Sequence, residues 1–151
     1  MSFKYFHYLY TVKLTISMRI YTSYFANGKK LSAAGVRMVG ITLYPPKWFN
    51  GPNLKQVAPT YAIFNISNAP DEIYNARFRK EVLARVNAQQ FVQQLQQLTG
   101  GQDVALCCYE KPDEKCHRHL VGQWLEEQLG IKVIEFGSDE KPKYIEPDLF
   151  G

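Results

Sequence analysis

The sequence predicts a three-layer, Rossmann-like α/β domain with a small, mainly parallel sheet, and three observations carry that prediction. The run Val104-Ala105-Leu106-Cys107-Cys108-Tyr109 is apolar, as expected of a central parallel strand covered on both faces. A helical pattern follows over residues 113–129, with Leu120, Val121, Trp124, Leu125 and Leu129 inward and Gly130 as a natural stop. Residues 131–136 return as a strand, so the chain closes on a right-handed βαβ crossover. A chain of 151 residues suits one such domain and buries roughly 68–70% of its unfolded surface without a staple. Ligands of open α/β sheets sit beyond the carboxyl ends of the strands, which is where Cys108, Glu110 and the loop to Cys116 would lie.

The other elements follow in order. Residues 19–24 read as a short strand and Ala26-Asn27-Gly28-Lys29-Lys30 as a turn or loop. Residues 36–43 form a second strand, closed by Pro45-Pro46. Residues 44–60 form a long loop holding Trp48 and Phe49, and residues 61–66 fit a helical turn or a strand. Asp71 caps a helix over residues 72–86, whose Phe78, Val82 and Val86 make one buried stripe. Asn87, with Gln90 three residues on, caps a second helix whose Phe91, Val92, Leu95 and Leu98 face inward up to Gly100-Gly101. The intervening glutamines form its wet face. The expected organisation is an N-terminal extension over 1–17, one α/β domain over 18–137 and a polar, Pro-containing tail over 138–151.

Residues 1–17 are interrupted by Lys4, His7 and Lys13 and lack a small-residue cleavage site, so they do not read as a secretory signal or a membrane span. Two readings stand: a β-rich extension adding an edge strand, or an upstream segment before a natural start at Met18. Three cysteines, an odd number with two adjacent, do not make a disulfide framework, which points to a reducing, cytoplasmic setting. Charge is strongly asymmetric: residues 1–70 hold eight basic and no acidic side chains, while the net charge of the whole chain is +4. Such separation attracts phosphate-bearing partners, or it is only a solvated basic surface.

The strand ending Leu106-Cys107-Cys108-Tyr109-Glu110, followed by Cys116-His117-Arg118 opening a helix, resembles the domain-of-unknown-function family numbered 488. Thr22-Ser23-Tyr24-Phe25 resembles that family's first strand and loop, and Pro45-Pro46-Lys47-Trp48-Phe49 its second. Residues 54–59, then Tyr74, Phe78, Leu83 and Val86, fit its middle segment. The resemblance runs from Met18 to Phe136 and supports the start at Met18. Cys107 stands where the family usually has an aliphatic residue, so it is read as core. The resemblance implies an α/β fold and no settled activity.

Thiol, imidazole, guanidinium and carboxylate chemistries converge on this segment. A helix N-terminus presents unpaired N–H groups, and Arg118 on its first turn adds a planar fork for phosphate or carboxylate. The competing reading pairs Arg118 with Glu110 or Glu114 in a structural network. Cys116, at a helix start beside His117, is a candidate nucleophile, with His117 handling a proton and Glu110 orienting it; the competing reading is a cysteine that only packs. Catalytic candidates are therefore Cys116, His117 and Glu110. Ligand-binding candidates are Arg118, Tyr24, Cys108 and Trp48, the aromatics being suited to stacking a base or to covering the sheet end.

Cys108, Cys116, His117 and His119 are zinc-type ligands, but their spacing matches no zinc finger, so no metal and no cofactor is assigned. A redox pair of Cys108 and Cys116 requires Cα atoms within about 4.4–6.8 Å. The expected function is an enzyme or sensor for a phosphate-bearing ligand, a nucleotide or nucleic acid, at the Cys-His-Arg helix start. The alternative is a non-catalytic nucleic-acid-binding module using the basic N-terminal half. A membrane is not among the expected partners, and no oligomeric state is assigned.

Overall fold

The structure, a computed structural model, describes residues 18–111 and 115–138. The expected 1–17 extension and nearly all of the 138–151 tail lie outside these residues. Four strands, β1 (Ile20–Tyr24), β2 (Arg37–Gly40), β3 (Val104–Cys108) and β4 (Val133–Glu135), form one sheet in the order β2-β3-β1-β4. Each neighbouring pair is parallel, and Tyr24 stands level with Cys108 while Thr22 stands level with Glu135. The helices are α1 (Gly28–Ala33), α2 (Tyr61–Phe64), α3 (Asp71–Glu81), α4 (Ala88–Thr99) and α5 (His117–Leu129). The Rossmann-like α/β expectation holds. The crossover from β3 through α5 to β4 passes over β1, so its two strands are not neighbours.

Side chains alternate across a strand, so each strand feeds two packed layers. On one face Val39, Leu106, Val104 and Val133 pack with Phe78, Phe91, Leu95, Val121, Trp124 and Leu125 from α3, α4 and α5. On the other, Ala105 and Cys107 pack with Phe25, Leu31 and Val36 beside α1. The adjacent cysteines of β3 thus point to opposite layers. Cys107 belongs to the core, as its aliphatic-type position implies.

Several element boundaries differ from expectation, each for a local reason. The expected loop over residues 26–30 is a 3-10 turn (Phe25–Asn27) running into α1, because Gly28 has ordinary helical angles and its bare Cα lets Met38 Sδ approach to 3.2 Å of where a Cβ would stand. The expected strand over residues 36–43 stops at Gly40. Beyond it the Asn53 side chain accepts from Thr42 N–H and donates to the Thr42 carbonyl, replacing strand pairing. Of residues 61–66, Tyr61–Phe64 form α2, with Thr60 Oγ1 accepting from Ile63 N–H, and the rest is turn.

The helix expected over residues 72–86 starts one residue earlier, with Pro70 rather than Asp71 at the cap, and breaks at Val82 into a 3-10 turn over Leu83–Arg85. Asn87 caps α4 as expected, its side chain accepting from Gln90 N–H, but Leu98 is exposed. The last helix begins at His117, not near residue 113: Cys116 is extended and its sulfur accepts from Arg118 N–H as the N-cap. Gly100 and Gly130 close α4 and α5 at φ of 69° and 66°, a left-handed conformation that a Cβ would oppose. Among the described residues no helix is long and apolar enough to cross a membrane.

Candidate functional site

The site forms where β3 ends and α5 begins. Residue alternation directs Cys108 toward the α5 layer, and the Cys116 cap brings the first turn of α5 against it. Arg118 is 0% exposed and forms a two-pronged ion pair with Glu135, with Nε–Oε1 and Nη2–Oε2 both 3.1 Å. Its remaining nitrogen, Nη1, donates to the Glu110 carbonyl at 2.6 Å and to Cys108 Sγ at 3.1 Å. Thr22 donates to Glu135 Oε1 at 2.6 Å. One guanidinium therefore ties together α5, β4, β3 and the loop after β3, with β1 supplying the hydroxyl. A buried ion pair is tolerated only when such bonds satisfy its remaining polar atoms. Arg118 is engaged inward; among the described residues its carboxylate partner is Glu135, and Glu110 meets it through the main-chain carbonyl, while Glu114 lies outside the described residues.

His117 is buried. Its Nε2 meets the Ile41 carbonyl, and its ring packs on Phe78 at 5.6 Å. A carbonyl only accepts, so Nε2 carries the proton and Nδ1 keeps its lone pair, 3.9 Å from Cys116 Sγ. Burial pushes the imidazole down to about 4, against the opposing pull of the Ile41 carbonyl, so His117 is neutral at pH 7. His119 is likewise held down to about 4, chiefly by burial and then by Arg118; its Nδ1 lies 4.0 Å from Glu135 Oε1.

Cys108 and Cys116 are joined as a disulfide. This is the pair that the sequence allowed as a redox couple, at a Cα separation of 7.4 Å, outside the window taken as its condition; one bridge beside the free Cys107 is still no disulfide framework. The two sulfurs and His117 converge: one ligand-type atom from each lies within 4.8 Å of the others. Cys107 is the free cysteine of the described residues, and burial raises its thiol to about 12.

Beside this cluster opens a pocket of about 520 Å³, lined by Thr42, Tyr44, Pro59, Phe64, Ser67, Asn68, Tyr74, Tyr109, Glu110, Lys115, Cys116 and His117. All three catalytic candidates, Cys116, His117 and Glu110, are on its wall. Of the ligand-binding candidates, Cys108 and Arg118 lie behind that wall. Tyr24 and Trp48 do not line it. Tyr24 is half-buried at the end of β1, and Trp48, 62% exposed, meets Phe25 edge-on at 6.3 Å on the α1 side.

Sequence reasoning missed most of the pocket's rings and its cation. Tyr109 read as the end of a strand and Tyr44 as the start of a loop with no assigned role, yet both are exposed at the mouth, where Tyr109 O–H donates to the Tyr44 carbonyl and Tyr44 meets Phe64 at 6.0 Å. Lys115 Nζ pairs with Asp71 at 2.8 Å and stands 4.6 Å over the Tyr74 ring. Burial and then Glu110 raise the Tyr74 phenol to about 12, so it stays protonated. Glu135 and Thr22 were also missed. The available signal was a polar residue inside each of two apolar strand runs.

These features define a parallel α/β protein with a polar cluster and pocket at the carboxyl edge of its sheet. The chain matches the family DUF488-N3a, described as the active DUF488-N3 subclade, over residues 27–129, and it belongs to that family. No curated protein and no solved structure matches it.

Proposed function

We propose that the pocket binds a small ligand of the nucleotide class, with an aromatic ring and a phosphate. The observation that carries this proposal is a concave, ring-walled cavity abutting the N-terminal turn of a 13-residue helix. Its volume is of the size that holds small molecules. Exposed Tyr44, Phe64 and Tyr109 offer faces for a base. Lys115 and the start of α5 offer the phosphate a cation and the positive end of a helix dipole. Glu110, an acceptor, suits the amino or hydroxyl donors of a nucleoside. Cys116 and the neutral His117 stand on the wall, where an enzyme would act on the ligand and a sensor would register it. Arg118 acts from behind, as a positioning residue. We place this activity in the cytoplasm, on the odd cysteine count.

A nucleic-acid-binding module using the basic N-terminal half has less to rest on. Arg19 and Arg37 lie at the amino edge of the sheet, Lys47 lies beyond its carboxyl edge, and Lys29 and Lys30 ride on α1.

The test is isothermal titration calorimetry with adenosine monophosphate, adenosine and inorganic phosphate. The monophosphate is expected to bind more tightly than either fragment. Lys115→Ala is expected to cost it about tenfold, on the order of one charge-assisted hydrogen bond, and to leave adenosine unaffected. Tyr109→Ala is expected to weaken both. Absence of heat from all three ligands, or equal binding by wild type and both variants, would refute the assignment.

A further inference from the structure

We propose that Cys108 and Cys116 form a thiol–disulfide exchange centre opening onto the pocket, acting on small disulfides of the glutathione class. Although their Cα atoms stand 7.4 Å apart, beyond the usual disulfide window, the two sulfurs meet across eight residues of chain. They are not equivalent. Cys116 is 9% exposed, lines the pocket and caps α5, whereas Cys108 is 1% exposed and lies behind it. A sulfur at a helix N-terminus is the position that favours a thiolate, and here the Arg118 N–H points at Cys116 Sγ at 3.5 Å. The second sulfur has its own cation, Arg118 Nη1 at 3.1 Å, so either sulfur is stabilised when it carries the charge. A disulfide kept only for stability needs no cation, and this one meets the pocket wall at Cys116, the side from which a small disulfide or thiol would reach it.

In the reduced protein, Cys116 loses its proton and its thiolate attacks one sulfur of R–S–S–R. A Cys116–S–S–R bond forms, the R–S–S–R bond breaks, and the departing R–S⁻ takes up the proton. Cys108 then attacks Cys116 Sγ, forming the intramolecular disulfide. The second R–S⁻ leaves and is protonated by the proton that Cys108 gave up. Two protein thiols are oxidised by two electrons, and one small disulfide is reduced to two thiols. Neighbouring Cys107 is a built-in control, fully buried on the other face of the sheet with its thiol raised to about 12. The proposal rests on the two sulfurs, Arg118 and the opening of the pocket at Cys116, and stands whether or not the pocket takes a nucleotide.

The experiment treats the full-length chain, reduced and then desalted, with oxidised glutathione. Samples are quenched in acid, alkylated and read by intact and peptide mass spectrometry. Wild type is expected to lose two alkylatable thiols, at Cys108 and Cys116, without retaining glutathione. Cys108→Ser is expected to trap one glutathione on Cys116, because the resolving sulfur is gone. Cys116→Ser is expected to form no adduct, and Cys107 to react only after denaturation. Thiols at 108 and 116 that persist in wild type would overturn the proposal. So would thiols that become reactive only after a chelator removes a bound metal, or adducts that prefer Cys107 or Cys108. The wild-type result decides even where a variant fails to fold.

Discussion

Removing Arg118 should unfold much of the protein's stability margin, because its charge is spent inside. The perturbation is Arg118→Met, alone and combined with Glu135→Leu. Either single change leaves one charge of the 3.1 Å pair buried without its partner. Breaking such a pair costs roughly 3–5 kcal/mol. Domains have only about 5–15 kcal/mol in total. The double variant removes both charges, and apolar replacements of similar size are often close to neutral. It still orphans the Thr22 hydroxyl and the Glu110 carbonyl, which the pair now satisfies. Leaving a buried polar group unsatisfied costs about 1–3 kcal/mol. The double variant should therefore lose less than the sum of the single losses by at least about 3 kcal/mol, the coupling that a double-mutant cycle isolates. Urea denaturation followed by far-ultraviolet circular dichroism gives all four stabilities. Single losses below about 1 kcal/mol, or a double loss equal to the sum, would refute the reasoning. A guanidinium held chiefly for a ligand would instead leave the urea midpoint in place and change only binding.

Two further outcomes follow from local geometry. His117 and His119 are held down to about 4 in the fold, against 6.5 for a free imidazole, so the unfolded chain takes up protons in this range that the folded chain refuses. Their contribution is therefore complete above pH 6.5 and is lost as pH falls toward 4, by up to about 1.4 kcal/mol per unit for each histidine. Urea midpoints measured from pH 7.5 to 4.5 should fall along that window; a flat profile would contradict the assignment. At Gly40, an added Cβ would stand 2.5 Å from Asn53 Oδ1 and 3.2 Å from Phe25. Gly40→Ala should release the clasp on Thr42 and cost about 1–3 kcal/mol, read as a lower urea midpoint. An unchanged midpoint would show that Asn53 yields freely.

What was legible in the sequence followed from period and composition. An unbroken apolar run marked β3 as doubly covered, and the caps at Asn87 and Gly130 marked helix ends, because each feature is decided within a few residues. The cysteine N-cap was harder to place: sulfur is an uncommon cap, and the helical pattern runs back to residue 113. The partner of Arg118 was not legible at all. Glu135 becomes its neighbour only because β4 pairs with β1 on the far side from β3, a choice of strand order that no local pattern encodes. The pocket rings were hidden for a similar reason. Tyr44 and Tyr109 carry strand-forming side chains, and only the early end of β2 at Gly40 and of β3 at Cys108 turns them toward the mouth.

The paired cysteines of β3 also turn strand alignment into something a label can report. A slip of one residue along a strand exchanges its two faces. In the native alignment Cys108 meets Arg118 and Cys116, and Cys107 is sealed among Phe25, Leu31 and Val36. A misaligned strand would present Cys107 to the guanidinium and bury Cys108 in its place. The two thiols differ by a single position in the chain, yet a brief alkylation during refolding would read which one had reached the Arg118 side of the sheet. Faulty assembly would then appear as chemistry at the wrong sulfur, before any loss of helical content.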